Sequence, residues 1–565
     1  MAQPSLRDFS WKSVLDRPTL VFQRLTSRRN ARLLLLLLLI LLGMIAASTV
    51  VFHYLMELEG QHHSWITGFY WTLTTMTTLG LGDVSFASDA GRIFTVIVLV
   101  GGVTFLLVIL PFTFIQLFQS AARVPRELPP GTRGHLILTH YDPITKTLID
   151  RLVRFRLPHV LVTPDLTDAL HFMDRGIRVV LGDINDSETY RLLRLDDAAM
   201  VATTASDLRN TSIAYSVRHA SRAIPLLATS TSDASDTVLG MAGCSHILKI
   251  DQLLGRSLAR RILAGDALAH VIGQFEELSV AEAIAAGTPL VKQQLREAQL
   301  REHVGVTVVG VWERGVFHPA APDLVITKQS VLVLAGTQEQ IDRYNELFCI
   351  YNIASEPVLI IGGGKVGRAM GDALAEREVA LRIVEREPGQ PVNRELYVVG
   401  DATNPDVLTE AGLQAAPAVA ITTHDDDTNV YVTALCRHLR PDIQIISRAT
   451  YEQSIQTLYE AGCDFVMSYA SMGANMIFNL LKRGDILMLA EGVDAFRVPV
   501  PPSLIGKRIS DTTIRQETGC SILGVRAEGG MTVNPDPETV LNEGNDIVLL
   551  GSLEAENTFF RKFGE

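Results

Sequence analysis

Two uncharged stretches near the start of the chain are long enough to cross a bilayer, and everything after them follows a different pattern. Residues 33–52 follow Arg32 without a charge and open on seven consecutive leucines. Twenty residues at the helical rise span roughly 30 Å, the thickness of a hydrocarbon core. A second uncharged run covers 93–120, with Pro111 predicting a kink toward its end. The first run is too long for the apolar core of a signal peptide, and a second span follows it, so both read as true spans. Between them lies an aromatic stretch, 65–76, that reads as a short helix, then Thr77-Thr78-Leu79-Gly80-Leu81-Gly82-Asp83.

Beyond residue 130 short apolar strands alternate with amphipathic helices, the pattern of a parallel, doubly wound sheet. In the second half the strands are expected at 357–362, 380–385, 396–400, 418–423, 444–448 and 465–468, with helices at 426–439, 451–462 and 470–482. In the first half they are expected at 135–139, 159–163, 178–182 and 200–204. The halves echo one another. Gly182-Asp183 matches Gly400-Asp401 at an offset of 218, and Arg218-His219 matches Arg437-His438 at 219. Ala242-Gly243-Cys244 matches Ala461-Gly462-Cys463 at 219, and the run 305–311 echoes 519–525 at 214. A period this long is not a solenoid unit; it is a duplicated domain.

Charge orients the spans. Arg24, Arg28, Arg29 and Arg32 precede the first span and Arg123 and Arg126 follow the second, while the connecting loop carries Glu57, Glu59, Asp83 and Asp89 against Arg92. The positive-inside rule then puts both termini in the cytoplasm of a multi-pass protein of the cell membrane, with the loop outside. Residues 1–130 hold 10 basic and 7 acidic residues, and the remainder holds 40 and 55 of the chain's 50 and 62. An acidic soluble portion argues against nucleic acid as a partner. Five scattered cysteines without a C-x-x-C pair suit reduced thiols and no zinc site. No metal ligand set is assigned.

The loop chemistry is that of an ion pathway. Two glycines two residues apart let successive carbonyls turn toward one axis and replace an ion's water shell. Non-helical backbone at membrane depth is tolerated only where protein or a water-filled cavity satisfies it, which fits a re-entrant loop. In this setting Thr78, Leu79, Gly80, Leu81, Gly82 and Asp83 resemble the selectivity filter of potassium channels, Thr-Val-Gly-Tyr-Gly. The resemblance implies K+ as permeant ion, carbonyls of residues 78–81 with the Thr78 hydroxyl as ligands, and a homotetramer in the lipid bilayer. Leu79 and Leu81 depart from that pattern. Leu81 lacks the aromatic ring that braces the family's filter, which leaves the strictness of preference over sodium open. Gly101 and Gly102 lie midway along the second span, either as a gating bend or as a close helix contact. Two spans and no arginine-every-third-residue helix exclude a voltage sensor.

The soluble halves differ in one turn. In the second, Leu359-Ile360-Ile361 runs into Gly362-Gly363-Gly364-Lys365-Val366-Gly367, a G-x-G-x-x-G that opens a helix. Gly362 permits the turn, Gly364 admits a pyrophosphate to the backbone, and Gly367 packs helix on strand. Glu385, followed by Arg386, ends the next strand, where an acid binds ribose hydroxyls. NAD or another adenine nucleotide is the expected regulatory ligand. The first half has Thr139-His140-Tyr141-Asp142-Pro143-Ile144 at this turn and no glycine, so it is not expected to bind a dinucleotide in the usual way; a mononucleotide in a different pose and a purely structural role both stand open. Asp165 there reads as a loop residue.

The order of these elements resembles RCK (KTN) domains, which regulate potassium conductance. That resemblance implies that Asp401 and Ala402 approach the adenine, that Thr423 and His424 lie beside the glycine loop, and that Arg448 reaches phosphate. RCK-gated channels commonly use calcium, so Ca2+ is a further candidate ligand; Asp425, Asp426 and Asp427 read as helix-start acids in preference to a cation site. His62 and His63 read as a solvated pair, and 5–25 as an interfacial helix.

The expected fold is therefore membrane α, with two transmembrane helices, a pore helix and a re-entrant filter loop, followed by two α/β Rossmann-like RCK domains, each with a small α+β C-terminal subdomain. The boundaries are 1–125 for the pore, 126–345 for the first RCK domain (lobes 134–250 and 251–345) and 355–565 for the second (355–468 and 469–565), the pore and ring being tied through 121–134. The expected function is a ligand-gated, potassium-selective channel and not an enzyme. A regulatory KTN subunit of a potassium transporter and a membrane-anchored NAD-dependent oxidoreductase are the alternatives. The first would lack its own pore, and the second needs an acid–base constellation not found in the sequence.

Overall fold

The leucine-rich run folds as the helix Arg28–Leu58, and the second run as Asp89–Val103 continuing into a π-helical turn, Thr104–Ile109. The computed structural model describes residues 28–111, 124–262, 268–348, 356–387, 396–482, 486–488, 493–527 and 529–563. The expected interfacial helix at 5–25, the end of the second span at 112–120, residues 121–123 of the connection, and Cys349 lie outside them. Two compact units, Met1–Pro125 and Arg126–Glu565, are taken one at a time.

In the first unit both apolar helices are long enough to span a membrane, and Leu35, Leu36, Leu38, Leu39 and Ile40 are exposed along one of them. Such a surface suits lipid, not water. Between them the short helix Trp65–Met76 is capped by Ser64, whose side chain accepts from the Thr67 N–H at 3.2 Å. Its Trp71 sits in a buried cluster with Phe52, Met56, Phe86 and Val98. Glu59 ties the two spans together, accepting from the Ala87 and Ser88 N–H groups at 2.9 Å each and from the Ser88 hydroxyl.

In the second unit the strands of the first copy are β1 (Leu136–Leu138), β2 (His159–Thr163), β3 (Val179–Leu181), β4 (Met200–Thr203), β5 (Leu226–Thr229) and β6 (His246–Leu248). They form a parallel sheet in the order β3-β2-β1-β4-β5-β6. A C-terminal lobe follows with β7 (His270–Phe275), β8 (Leu278–Ile284), β9 (Thr307–Glu313), β10 (Val316–Pro319) and β11 (Val331–Gly336). The second copy repeats the plan with β12 (Val358–Ile361), β13 (Leu381–Glu385), β14 (Tyr397–Val399), β15 (Ala418–Ile421), β16 (Gln444–Ala449) and β17 (Phe465–Ser468), in the order β14-β13-β12-β15-β16-β17. Its lobe holds β18 (Ile486–Met488), β19 (Val493–Pro499), β20 (Ser521–Ala527), β21 (Gly530–Val533) and β22 (Asp546–Ser552). Central strands such as β12 and β15 are buried along their whole length, which is why they read as unbroken apolar runs. Most observed strands are a residue or two shorter than the apolar runs, because the runs continue into the turns.

The repeated residues explain the duplication physically. Arg218 donates to the carbonyls of Gly243 and Ile224, and Arg437 donates to those of Gly462 and Ile443, all at 2.7–3.0 Å. Each guanidinium fastens a helix to the turn before the last strand of its sheet. Asn210 and Asn429 form a second matched pair, each accepting from a threonine hydroxyl and donating to the carbonyl at the end of the neighbouring strand.

The two copies embrace. The helix Ile250–Arg260, leaving the first sheet, packs on Lys365–Ala375 so closely that a Cβ on Gly255 would lie 2.6 Å from the Val366 carbonyl oxygen. Reciprocally, Tyr469–Leu481 packs on Pro143–Arg154, with Gly473 against Ile144. The inner faces of the two C-terminal sheets share one core, in which Val280, Val309 and Val333 meet Ala495, Leu523 and Val548. Arg154 crosses between copies to Glu556 at 2.7 Å and Asp494 at 3.4 Å.

Candidate functional site

The loop after Trp65–Met76 has the backbone alternation an ion pathway needs. Thr78, Gly80 and Gly82 have positive φ, of 63°, 44° and 78°, with Leu79 and Leu81 between them. Alternating hands turn successive carbonyls to one side, where an extended strand would splay them. Thr78 adopts this conformation without being glycine, a strained position of the kind found at ion and ligand sites. The Thr74 carbonyl anchors the turn, accepting from the N–H groups of Leu79 at 2.8 Å and Gly80 at 3.1 Å. Leu79 and Leu81 are 63% and 60% exposed, so neither braces the loop within its own chain. The aromatic support lies deeper, with Trp71 edge-on to Phe86 at 5.2 Å and stacked on Phe94 at 5.8 Å.

Gly102 is a packing position. A Cβ there would come within 2.6 Å of the Met76 backbone, so it holds the second span against the end of the short helix. Gly101 meets only the Met44 methyl at 3.4 Å. The π turn at Thr104–Ile109 begins two residues beyond Gly102, a departure from α geometry that the sequence pattern did not signal.

In the second copy β12 delivers the glycine loop to the edge of the sheet. Gly362 has φ of 98°, and a Cβ on Gly367 would lie 1.9 Å from the Gly362 carbonyl oxygen, so both positions require glycine. Gly364 differs: it is the N-cap of Lys365–Ala375 with φ of −67°, and a Cβ there would meet nothing closer than His424 Nε2 at 3.6 Å. The fold tolerates a side chain at 364, whereas an approaching phosphate would not. No side chain caps this helix start, which leaves its first N–H groups for an anion. The cradle thus fits a pyrophosphate.

The surrounding residues converge on that loop. Glu385 accepts from the Gly363 N–H at 2.6 Å and from the Glu387 N–H at 3.1 Å, which fixes its carboxylate beside the glycines. Arg386 lies 4.0 Å from Asp401, which accepts from the Thr403 N–H and hydroxyl; these bonds hold its carboxyl below the ordinary range. Ala402 follows it on the same turn. The Thr423 hydroxyl donates to Asn429 at 2.5 Å. Arg448 is 2% exposed, bonds His424 Nδ1 at 2.9 Å, and lies 5.0 Å over the Tyr469 ring. A guanidinium has no acceptor, so Nδ1 must carry the lone pair and the proton sits on Nε2, the nitrogen that faces Gly364. Burial and then the Arg448 charge lower the proton affinity of His424. Lys365 is exposed at the helix start.

Asp425 is a helix N-cap accepting from the Thr428 N–H, and Asp426 accepts from the N–H groups of Thr450 and Tyr451. Among the described residues no three His, Cys, Asp or Glu side chains group to hold a metal.

The first copy closes the same position from within. Asp142 caps Pro143–Arg154, accepting from the Thr145 N–H at 2.7 Å, and Thr145 stands where Gly367 stands in the second copy, counted from the cap. Asp165 caps Leu166–Asp174. The tie from Glu385 to Gly363 and the stacking of Tyr469 on Arg448 were not read from the sequence, because both depend on how loops and a distant helix meet.

Comparison with known proteins covers most of the chain. The TrkA-N domain family matches residues 137–250 and 358–469, the TrkA-C domain family 280–348 and 495–564, and the ion channel family 39–119. The chain is similar to a solved structure of the GsuK channel bound to NAD, at 38% identity over 95% of this chain and 99% of that one, with a TM-score of 0.57. It is 27% identical over 243 residues to probable potassium channel protein 2 of Methanocaldococcus jannaschii, covering 39% of this chain and 71% of the relative. It is 22% identical over 211 residues to the calcium-gated potassium channel TvoK of Thermoplasma volcanium, covering 35% and 60%.

Proposed function

We infer, from the premise that the chain belongs to the GsuK family of potassium channels with tandem RCK domains, that it is a ligand-gated potassium channel of the cell membrane whose gating nucleotide binds the second RCK copy. The observation that carries this is the joint presence, in one polypeptide, of a hand-alternating loop between two span-length helices and an uncapped glycine cradle.

One chain supplies one loop and a pore needs a ring, so the working assembly is a homotetramer with both termini cytoplasmic. Carbonyls of Thr78, Leu79, Gly80 and Leu81 would coordinate dehydrated K+. NAD, when bound, supplies the gating free energy through its pyrophosphate and ribose contacts. The Lys365–Gly367 helix start would take the phosphates, His424 would donate Nε2–H to them, and Arg448 would hold that tautomer and add positive charge. Glu385 would accept from ribose, and Asp401 with Ala402 would line the adenine side. A ligand shifts a closed–open equilibrium only by its differential affinity for the two states. Here the lever is the Lys365 helix, which is locked to Ile250–Arg260 through Gly255. Calcium is a second candidate ligand, on the strength of the likeness to TvoK, and Gly102 is a candidate gating contact.

Full-length protein in potassium-loaded liposomes tests this reading. It predicts valinomycin-independent potassium flux that changes when NAD is added to the cytoplasmic side. Flux absent under every nucleotide and calcium condition would overturn it, and turnover of NADH with a substrate would favour an oxidoreductase instead.

A further inference from the structure

A cavity of about 260 Å3 lies away from the glycine loop, where the two crossover helices, Ile250–Arg260 and Tyr469–Leu481, meet the first C-terminal lobe. It falls just below the usual size range of small-molecule pockets, roughly 300–1,000 Å3, and so fits only a small ligand. Leu253, Ser257 and Arg260 line it from Ile250–Arg260, Met472 and Met476 from Tyr469–Leu481, and Ile272 and Glu282 from β7 and β8.

Its floor holds an unusual carboxylate. Glu282 is 6% exposed; Oε2 accepts from Arg261, whose guanidinium is stacked 3.5 Å from the centre of the Phe465 ring, but among the described residues Oε1 has no hydrogen-bond partner. A buried acceptor left unmade is costly, and such groups call for a donor that completes them. Arg260 lines the same cavity from an exposed position, and the charges of Arg377 and Arg256 act on it. Among the described residues none of the three guanidiniums has an ion-pair partner. Clustered, unneutralised arginines are a binding surface for carboxylate or phosphate. The rest of the lining is methionine and aliphatic side chains interspersed with Ser257, His270, Ser468, Ser471, Asn475 and Asn479, which suits a partly apolar body that also carries polar groups.

We propose that this cavity is a second ligand site, separate from the nucleotide cradle, for a small organic anion bearing an N–H donor. Its anionic group sits against Arg260, its N–H donates to Glu282 Oε1, and its body lies between Met472, Met476 and Ile272. Because residues of both crossover helices line the site, its occupant touches the helix that carries Gly255 and so the element that holds the nucleotide helix.

Calorimetric titration of the full-length channel in detergent tests this with two pairs of probes. Phosphoethanolamine is set against ethyl phosphate, and L-methionine against 4-(methylthio)butanoate, so that each pair differs by the amine and the pairs differ in the anion. The site requires at least one amine-bearing probe to bind at one per chain, tenfold or more tighter than its comparator. Which pair responds tells a phosphate ligand from a carboxylate ligand. Arg260→Ala should weaken that binding at least tenfold, Met472→Trp should fill the cavity and abolish it, and Glu282→Gln should erase the advantage of the amine. NAD titrated into each variant reports that the fold is intact, so Arg260→Ala and Met472→Trp carry the test if Glu282→Gln does not fold. No binding by either amine-bearing probe, or binding unchanged in Arg260→Ala and Met472→Trp, overturns the proposal.

Discussion

The two RCK copies share a scaffold and differ at the position where a phosphate would land. Both have a six-stranded parallel sheet in the same order, an arginine fastening a helix to the last turn, and a buried asparagine joining two strand ends. At the first turn the first copy spends its own side chains: Asp142 caps the helix and Thr145 fills the space behind it. The second copy puts glycines there and leaves the helix start uncapped. What a copy withholds from its helix N-terminus decides whether those N–H groups are left for an anion. A cap and a ligand compete for the same N–H groups.

Substitution at Gly367 should cost the second copy most. Gly367→Val drives a branched side chain into the Gly362 carbonyl, 1.9 Å from where its Cβ would lie. It should destabilise the second copy by about 1–3 kcal/mol and remove NAD binding, read by thermal unfolding and calorimetry on the same sample. Gly364→Asp is sharper, because it installs the first copy's cap. The fold accepts a Cβ there, so stability should rise by a few tenths of a kcal/mol while NAD affinity falls 100-fold or more. A variant that keeps NAD affinity would show that the cradle is not where the pyrophosphate binds.

The shared scaffold should respond alike in both copies. Arg218→Lys and Arg437→Lys each lose the fork that reaches two carbonyls, and each should cost about 1–3 kcal/mol in denaturant unfolding with NAD affinity unchanged.

The smallest effect is pH dependence. Burial and Arg448 depress the proton affinity of His424, so the folded state binds fewer protons there than the unfolded chain. That contribution is fully present above the ordinary histidine value near 6.5 and is lost as pH falls below it toward the depressed value, by at most about 1.4 kcal/mol per pH unit for one proton. His135 and His159 in the first copy are depressed by burial in the same direction. His424→Asn should therefore flatten the acid side of a stability–pH curve in part, and a curve left unchanged would place His424 in solvent.

Much of this architecture is legible in residues alone, for reasons that differ by region. Central strands such as β12 are buried on both faces, so their apolar runs are continuous and their place is plain. The spans are plain because a bilayer sets a length. Gly362 and Gly367 announce themselves because no other residue fits, and the Arg218 and Arg437 echo marked a duplication although the carbonyls they hold could not be named from it. What stayed hidden depends on parts that meet only in three dimensions. Gly255 and Gly473 look like ordinary helix glycines until another helix is laid on them. Glu282 reads as an unremarkable strand acid until its buried, half-satisfied carboxylate is seen. The π turn after Val103 follows apolar residues that would equally suit an α-helix.

Potassium flux in liposomes carrying either the natural chain or Gly364→Asp, with and without NAD, decides whether nucleotide at the second copy controls a potassium pathway in the same chain. Flux is expected from both, altered by NAD only in the natural chain. An identical NAD response in the two, or no flux from either, would contradict it.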